Sequence, residues 1–123
     1  MSVTGPDFVA LQVNDIEQSA KFYEKYLGLK RAPHSPEGAA VFASEPIPFA
    51  VREPLPGVDL SAAKPRPGIG VALWLHAEDS QDVHDTLSEA GIQIVAAPTN
   101  GPFGRTFSFS DPDGYVITVH DKA

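Results

Sequence analysis

A short alternating stretch occurs twice in this sequence, as VALQV at residues 9–13 and as VALWL at residues 71–75. Successive side chains of a β-strand point to opposite faces of the sheet, so each copy predicts a strand with two different faces. A helix-like segment follows each copy and ends at a glycine, Gly28 in the first case and Gly91 in the second. The repeat therefore indicates an internal duplication.

The two faces of the repeated strands have different predicted roles. One face is apolar and is expected to pack on a helix, whereas the other is available to line a cavity. The apolar face consists of Val9, Leu11 and Val13 in the first copy and of Val71, Leu73 and Leu75 in the second. The opposite face includes Phe8, Gln12, Trp74 and His76.

The remaining elements predict the same order, βαβββ, in both halves. The first module covers residues 7–53, the second covers residues 69–121, and the proline-rich residues 54–68 form a linker. Asn14 is expected to cap the first helix, with Glu17 as its capping-box partner, and further strands are expected at 29–32, 39–44, 47–53, 69–75, 92–96, 103–110 and 115–120. The predicted fold class is α+β, a single domain of two tandem βαβββ modules whose curved mixed sheets form a ligand cup with the helices outside.

Composition excludes several classes of function. The sequence has no cysteine, so disulfides, thiolate metal sites and thiol nucleophiles are ruled out. A formal net charge of −7 weakens any nucleic-acid hypothesis, because such a protein repels a phosphate backbone. The sequence contains neither a signal-peptide pattern nor an apolar run long enough to cross a bilayer, so we expect a cytoplasmic protein without membrane association.

Three stretches carry a resemblance to a known family. They are residues 9–29 (VALQVNDIEQSAKFYEKYLGL), the repeated VALWL, and residues 104–119 (GRTFSFSDPDGYVITV). Together they resemble the glyoxalase/bleomycin-resistance/dioxygenase superfamily, also called vicinal oxygen chelate proteins. The resemblance implies the paired-module fold and a homodimer with two cups at or near the subunit interface. It leaves function open, because the family includes metalloenzymes and metal-free proteins that bind an antibiotic.

The residues at the family's metal-ligand positions indicate which branch of the family this chain resembles. Metalloenzymes of the family carry His or Gln in the first strand, a carboxylate late in the first module, His in the repeated strand and Glu in the last strand. The first, third and fourth positions fall on Phe8, Gly70 and Thr118, which are not credible ligands for a divalent metal. Glu53 is the only carboxylate near the second position. We therefore predict neither a metal site nor another cofactor. The alternative is a metal site displaced to His76 and His120.

Aromatic and polar groups take the place of the metal ligands in the predicted cup. Trp74 and Phe8 are expected to stack on a flat ligand. Arg105 either pairs with an acidic group of the ligand or locks its loop through Asp111 or Asp113. The full set of candidate ligand-binding residues is Phe8, Gln12, Phe42, Phe49, Trp74, His76, Phe103, Arg105, Ser108, Thr118 and His120.

These features favour a metal-free protein that sequesters a bulky aromatic natural product or antibiotic, and so confers resistance by binding without turnover. An enzyme of the same fold is the alternative, namely a lyase, isomerase or dioxygenase-type enzyme that acts on a small metabolite. Such an enzyme would use a displaced metal, or His76 or His120 as acid or base. A sensor or accessory subunit is the third possibility.

Overall fold

The computed structural model describes residues 2–122, which divide into two compact units at Leu60. The first unit contains β1 (Val9–Gln12), α1 (Ile16–Leu27), β2 (Ala39–Phe42) and β3 (Phe49–Arg52). The second contains β4 (Leu73–His76), α2 (Ser80–Glu89), β5 (Ile94–Gly101), β6 (Gly104–Ser110) and β7 (Val116–His120). Within the described residues, neither helix is long and apolar enough to span a bilayer.

Each unit contains one mixed, curved sheet, so the α+β prediction is confirmed. The strand order is β1-β3-β2 in the first unit and β4-β7-β6-β5 in the second. The first and last strands of each unit pair in parallel, whereas the other pairs are antiparallel. A bridge from Arg31 to Phe42 occupies the place that β5 has in the second unit. The two sheets therefore follow the same plan, as an internal duplication predicts.

The strand expected at 29–32 is reduced to that bridge. The Ala32 N–H donates to Val41 and the Ala43 N–H donates to Lys30, each at 2.8 Å. The chain then reaches Pro33, which has no N–H to extend the pairing.

Helix α1 begins one residue later than predicted. Its N-cap is Asp15, whose carboxylate accepts the Gln18 N–H at 3.0 Å, and not Asn14. Glu17 therefore does not act as a capping-box partner; it binds the Arg31 guanidinium at 2.6 Å instead. This hydrogen bond lowers the pKa of Glu17 below its usual range. The pairing connects the first turn of α1 to the bridging segment that follows the helix.

The core of the first unit is a cluster of three aromatic rings. Tyr23 of α1, Phe42 of β2 and Phe49 of β3 are all buried. Their ring centroids lie 5.2 Å apart for Tyr23 and Phe49 and 5.8 Å apart for Phe42 and Phe49. The expectation that Phe42 and Phe49 form walls of an open cup is therefore corrected, because both rings pack beneath α1.

In the second unit, alternation along β6 and β7 separates the two faces of the sheet. The buried side chains Phe107, Phe109, Ile117 and Val119 occupy alternate positions and face α2, whose Leu87 is also buried. The predicted start of β4 was wrong. The Val71 N–H closes a turn onto the Gly68 carbonyl, so the strand begins at Leu73 and the Val71 side chain is 75% exposed.

The DPDG sequence forms the turn between β6 and β7, as its residue types predict. The buried Asp111 carboxylate accepts the N–H groups of Asp113 and Tyr115, each at 2.9 Å. Such side-chain bonds to nearby backbone are the reason that aspartate favours turns. They set the pairing of β6 with β7, which places Ser108 beside Thr118.

Asp121 joins three elements of the second unit. Its carboxylate accepts the Arg105 N–H at 2.9 Å and lies 3.2 Å from the hydroxyl of Ser80, the first residue of α2. The Ser80 hydroxyl also donates to the Arg105 carbonyl at 2.6 Å. Gly104 has φ +85°, and a Cβ there would overlap the Asp121 carboxylate. The close approach therefore requires glycine at position 104.

We expect Gly104→Ala to lower the free energy of unfolding by about 1–3 kcal/mol, because it adds backbone strain and a steric overlap. Gly70→Ala is the matched control, since a Cβ at Gly70 meets no atom within 4 Å among the described residues. Urea unfolding measures both variants. Equal stability of the two variants would contradict this account of Gly104.

Candidate functional site

The face of the second sheet that points away from α2 is the candidate site, and we call it the open face. Trp74 of β4 lies opposite Thr118 of β7, which lies opposite Ser108 of β6. His76 of β4 lies opposite His120 of β7. Residues opposite one another on paired strands share a face, so these five side chains form two rows on one surface.

Four rings on this surface contact one another, and we call them the aromatic cluster: Trp74, His76, Phe103 and His120. The Trp74 ring lies edge-on to Phe103 at 5.3 Å and tilted to His120 at 5.7 Å, and His76 is 5.5 Å from His120. Trp74 is 44% exposed and Phe103 is 55% exposed. Exposed aromatic rings that adjoin one another mark a binding surface more often than isolated exposed residues do.

Phe103 reaches the cluster from the tip of the β5–β6 hairpin. Only two residues, Pro102 and Phe103, connect Gly101 at the end of β5 with Gly104 at the start of β6. The Phe103 carbonyl accepts the Lys122 N–H at 3.2 Å. The tip is therefore held against the segment that follows β7, the strand that also carries His120.

Two polar features lie among these rings. The hydroxyls of Ser108 and Thr118 are 2.8 Å apart and form one hydrogen bond in which either residue can be the donor. The Nδ1 atom of His120 is buried and has no hydrogen-bond partner among residues 2–122. A buried polar atom without a partner is uncommon in folded proteins. The two hydroxyls supply hydrogen-bonding capacity to the open face.

Arg105 is engaged on the helix side of the sheet. Its guanidinium donates to Gln81 at 2.6 Å and to Asn100 at 3.0 Å. Gln81 also donates to Asp85 at 2.9 Å, and hydrogen bonds from His84 and Gln81 lower the pKa of Asp85. These contacts fit a structural role for Arg105, with partners other than the Asp111 or Asp113 that the sequence suggested. Gln81 and Asn100 gave no local signal in the sequence.

The candidates in the first unit do not form a comparable cluster. Phe8 precedes β1 and is 51% exposed. The Gln12 side-chain oxygen accepts the Leu55 N–H at 2.8 Å. Phe42 and Phe49 are in the core, as described above. The open face thus collects Trp74, His76, Phe103, Ser108, Thr118 and His120 from the predicted set.

The residues present do not fit the metal site of the family's metalloenzymes. Phe8 and Gly70 have no side-chain donor atom, and Thr118 offers a neutral hydroxyl that is bonded to Ser108. Across residues 2–122, no group of three or more His, Asp or Glu side chains is arranged to hold a metal ion. His76 and His120 make a pair of imidazoles at most.

Several known proteins are similar to this chain in sequence or in fold. The chain is 29% identical over 118 residues to virulence protein STM3117 of Salmonella typhimurium, and this alignment covers 92% of this chain and 81% of that protein. It resembles the structure of TnmS3, an antibiotic binding protein from Streptomyces sp. CB03234, with a TM-score of 0.76, 24% identity, and coverage of 100% of this chain and 99% of that chain. It also resembles lactoylglutathione lyase from Agrobacterium tumefaciens, with a TM-score of 0.68, 18% identity, and coverage of 98% and 95%.

The two structural likenesses show a shared fold, and a fold shared by a binding protein and a lyase does not decide between those functions. The family itself is shown by sequence. The pattern of the Glyoxalase/Bleomycin resistance protein/Dioxygenase superfamily matches residues 5–119, and the chain therefore belongs to that superfamily.

Proposed function

We propose that this protein binds a bulky aromatic small molecule, such as an antibiotic, and releases it unchanged. Binding would lower the concentration of free compound and so protect the compound's target. The observation that carries the proposal is the aromatic cluster, in which Trp74 and Phe103 expose about half of their surfaces. A flat ligand that covers these rings removes apolar surface from water and gains favourable ring contacts.

The polar groups of the open face are better suited to orient a bound ligand than to catalyse a reaction of that ligand. Ser108 and Thr118 bind each other's hydroxyls, and neither contacts an imidazole through a hydrogen bond within the described part of the chain. A serine or threonine nucleophile needs an adjacent base to take its proton. The hydroxyls are therefore suited to hold a ligand by hydrogen bonds.

We also propose a cytoplasmic location and a homodimer, the second of which the family resemblance implies. Light scattering during size-exclusion chromatography tests the dimer directly. A dimer is expected at a mass of about twice the 13.1 kDa of one chain.

Trp74 provides a direct test, because it is the only tryptophan of the chain. We expect saturable quenching of its fluorescence, near one ligand per chain, by at least one of a panel of bleomycins, anthraquinones and enediynes. Trp74→Ala should weaken binding of that compound by about tenfold or more in calorimetry, as truncation of a central aromatic contact usually does. Val95→Ala is the control, since Val95 is a comparably exposed apolar residue of β5. Equal effects of the two variants would count against the aromatic cluster as the binding surface.

A second candidate function is acid–base catalysis by His76 and His120, which the 5.5 Å separation of their rings favours. We expect mass spectrometry to recover the bound compound unchanged after long incubation, and His120→Asn to alter affinity alone. The opposite result would be a modified compound that no longer forms in His76→Ala or His120→Asn, although these variants still bind it. That result would show that the protein is an enzyme and does not act by sequestration.

A further inference from the structure

The hydroxyl pair of Ser108 and Thr118 points to a more specific class of ligand. We propose that this pair donates a hydrogen bond to a ring carbonyl of the bound compound. The ligand is then an uncharged, planar aromatic molecule with carbonyl oxygens on its rings, as in a quinone. This inference rests on the proposed function and adds the chemistry that selects among aromatic compounds.

The hydroxyl pair lies close to Trp74 on the open face. Trp74, Thr118 and Ser108 form one row across three neighbouring strands. Adjacent strands are about 4.8 Å apart, so the hydroxyl pair lies beside the indole, within the width of a ligand of three fused rings. A ring system in contact with Trp74 therefore covers the pair and removes it from water. A polar group that is covered without a partner costs free energy, so the ligand must supply one.

The hydroxyl pair has one proton that its mutual hydrogen bond does not use. Two hydroxyls carry two protons, and their mutual hydrogen bond at 2.8 Å uses one of them. No second side-chain partner of Ser108 or Thr118 is present among residues 2–122. The remaining proton is available to an acceptor above the sheet. A carbonyl oxygen accepts such a bond, whereas a hydrocarbon ring does not.

The charges around the open face indicate an uncharged ligand core. The positions of β4, β6 and β7 that face away from α2 carry no Asp, Glu, Lys or Arg in the described sheet. Arg105 and Asp121 flank the surface, but their side chains bind Gln81, Asn100 and the start of α2. A cationic ligand group buried here would lose its hydration without gaining a counter-ion, and an anionic group would meet only the imidazoles of His76 and His120. The ligand core is therefore uncharged, although the net charge of −7 attracts cations at long range.

The test compares two probes that differ in the ring carbonyls, 2-(hydroxymethyl)anthraquinone and 2-(hydroxymethyl)anthracene. Ser108→Ala or Thr118→Val alone should weaken anthraquinone binding by no more than about threefold, because the remaining hydroxyl keeps a proton to donate. The double variant should weaken it by about tenfold and leave anthracene binding within about twofold of the unchanged protein. Ser110→Ala is the control, since Ser110 is on the same strand and faces the same side.

Anthracene binding serves as the check that each variant is folded. Equal affinity for both probes in the unchanged protein, or an equal loss of both in the double variant, would overturn the hydroxyl-pair inference and leave the proposed binding of aromatic compounds standing. Absence of binding by both probes would overturn the inference and, if the antibiotic panel also fails, the proposed function with it.

Discussion

The second unit depends on one constraint, the alternation of side chains along paired strands. Phe107, Phe109, Ile117 and Val119 are buried because they occupy alternate positions of β6 and β7, on the side that α2 covers. The intervening positions must then lie on the other side. A shift of one residue in both strands would bury the hydroxyl pair and expose the apolar side chains that now face α2. The same register that builds the core therefore also builds the open face.

Hydrogen bonds at the ends of the sheet hold this arrangement in place. The Asp111 carboxylate sets the β6–β7 turn, and the Asp121 carboxylate connects the start of β6 with Ser80 of α2. Arg105 extends that connection to Gln81 and Asn100. Because these contacts restrain the β5–β6 hairpin, Phe103 at its tip remains next to Trp74. The position of Phe103 in the aromatic cluster is thus set by polar contacts on the opposite side of the sheet.

The superfamily places binding proteins and enzymes on one fold, so function must be argued from the residues of the site. In this chain the metal-ligand positions of the family's enzymes carry a phenyl ring, a glycine and a threonine hydroxyl. Thr118 is informative because its hydroxyl pairs with Ser108 beside an exposed tryptophan. A position that serves metal coordination in one branch is here part of a neutral hydrogen-bonding surface, which is why we favour recognition of an uncharged aromatic compound.

Local patterns in the sequence were sufficient to predict much of this structure. The repeat, the DPDG turn and the side of β4 that carries Trp74 all follow from residue types and spacing. Three features needed the tertiary structure. Phe49 could not be assigned to a face, because the short strand β3 is buried over three consecutive residues and shows no alternation. Phe42 of β2 lies opposite Phe49, so its place in the core depends on that pairing. The start of β4 depended on the turn that exposes Val71, and the partners of Arg105 come from a distant helix and a neighbouring strand. Alternation and turn chemistry act between neighbours in sequence, whereas burial on both faces and long-range side-chain bonds exist only after the chain has folded.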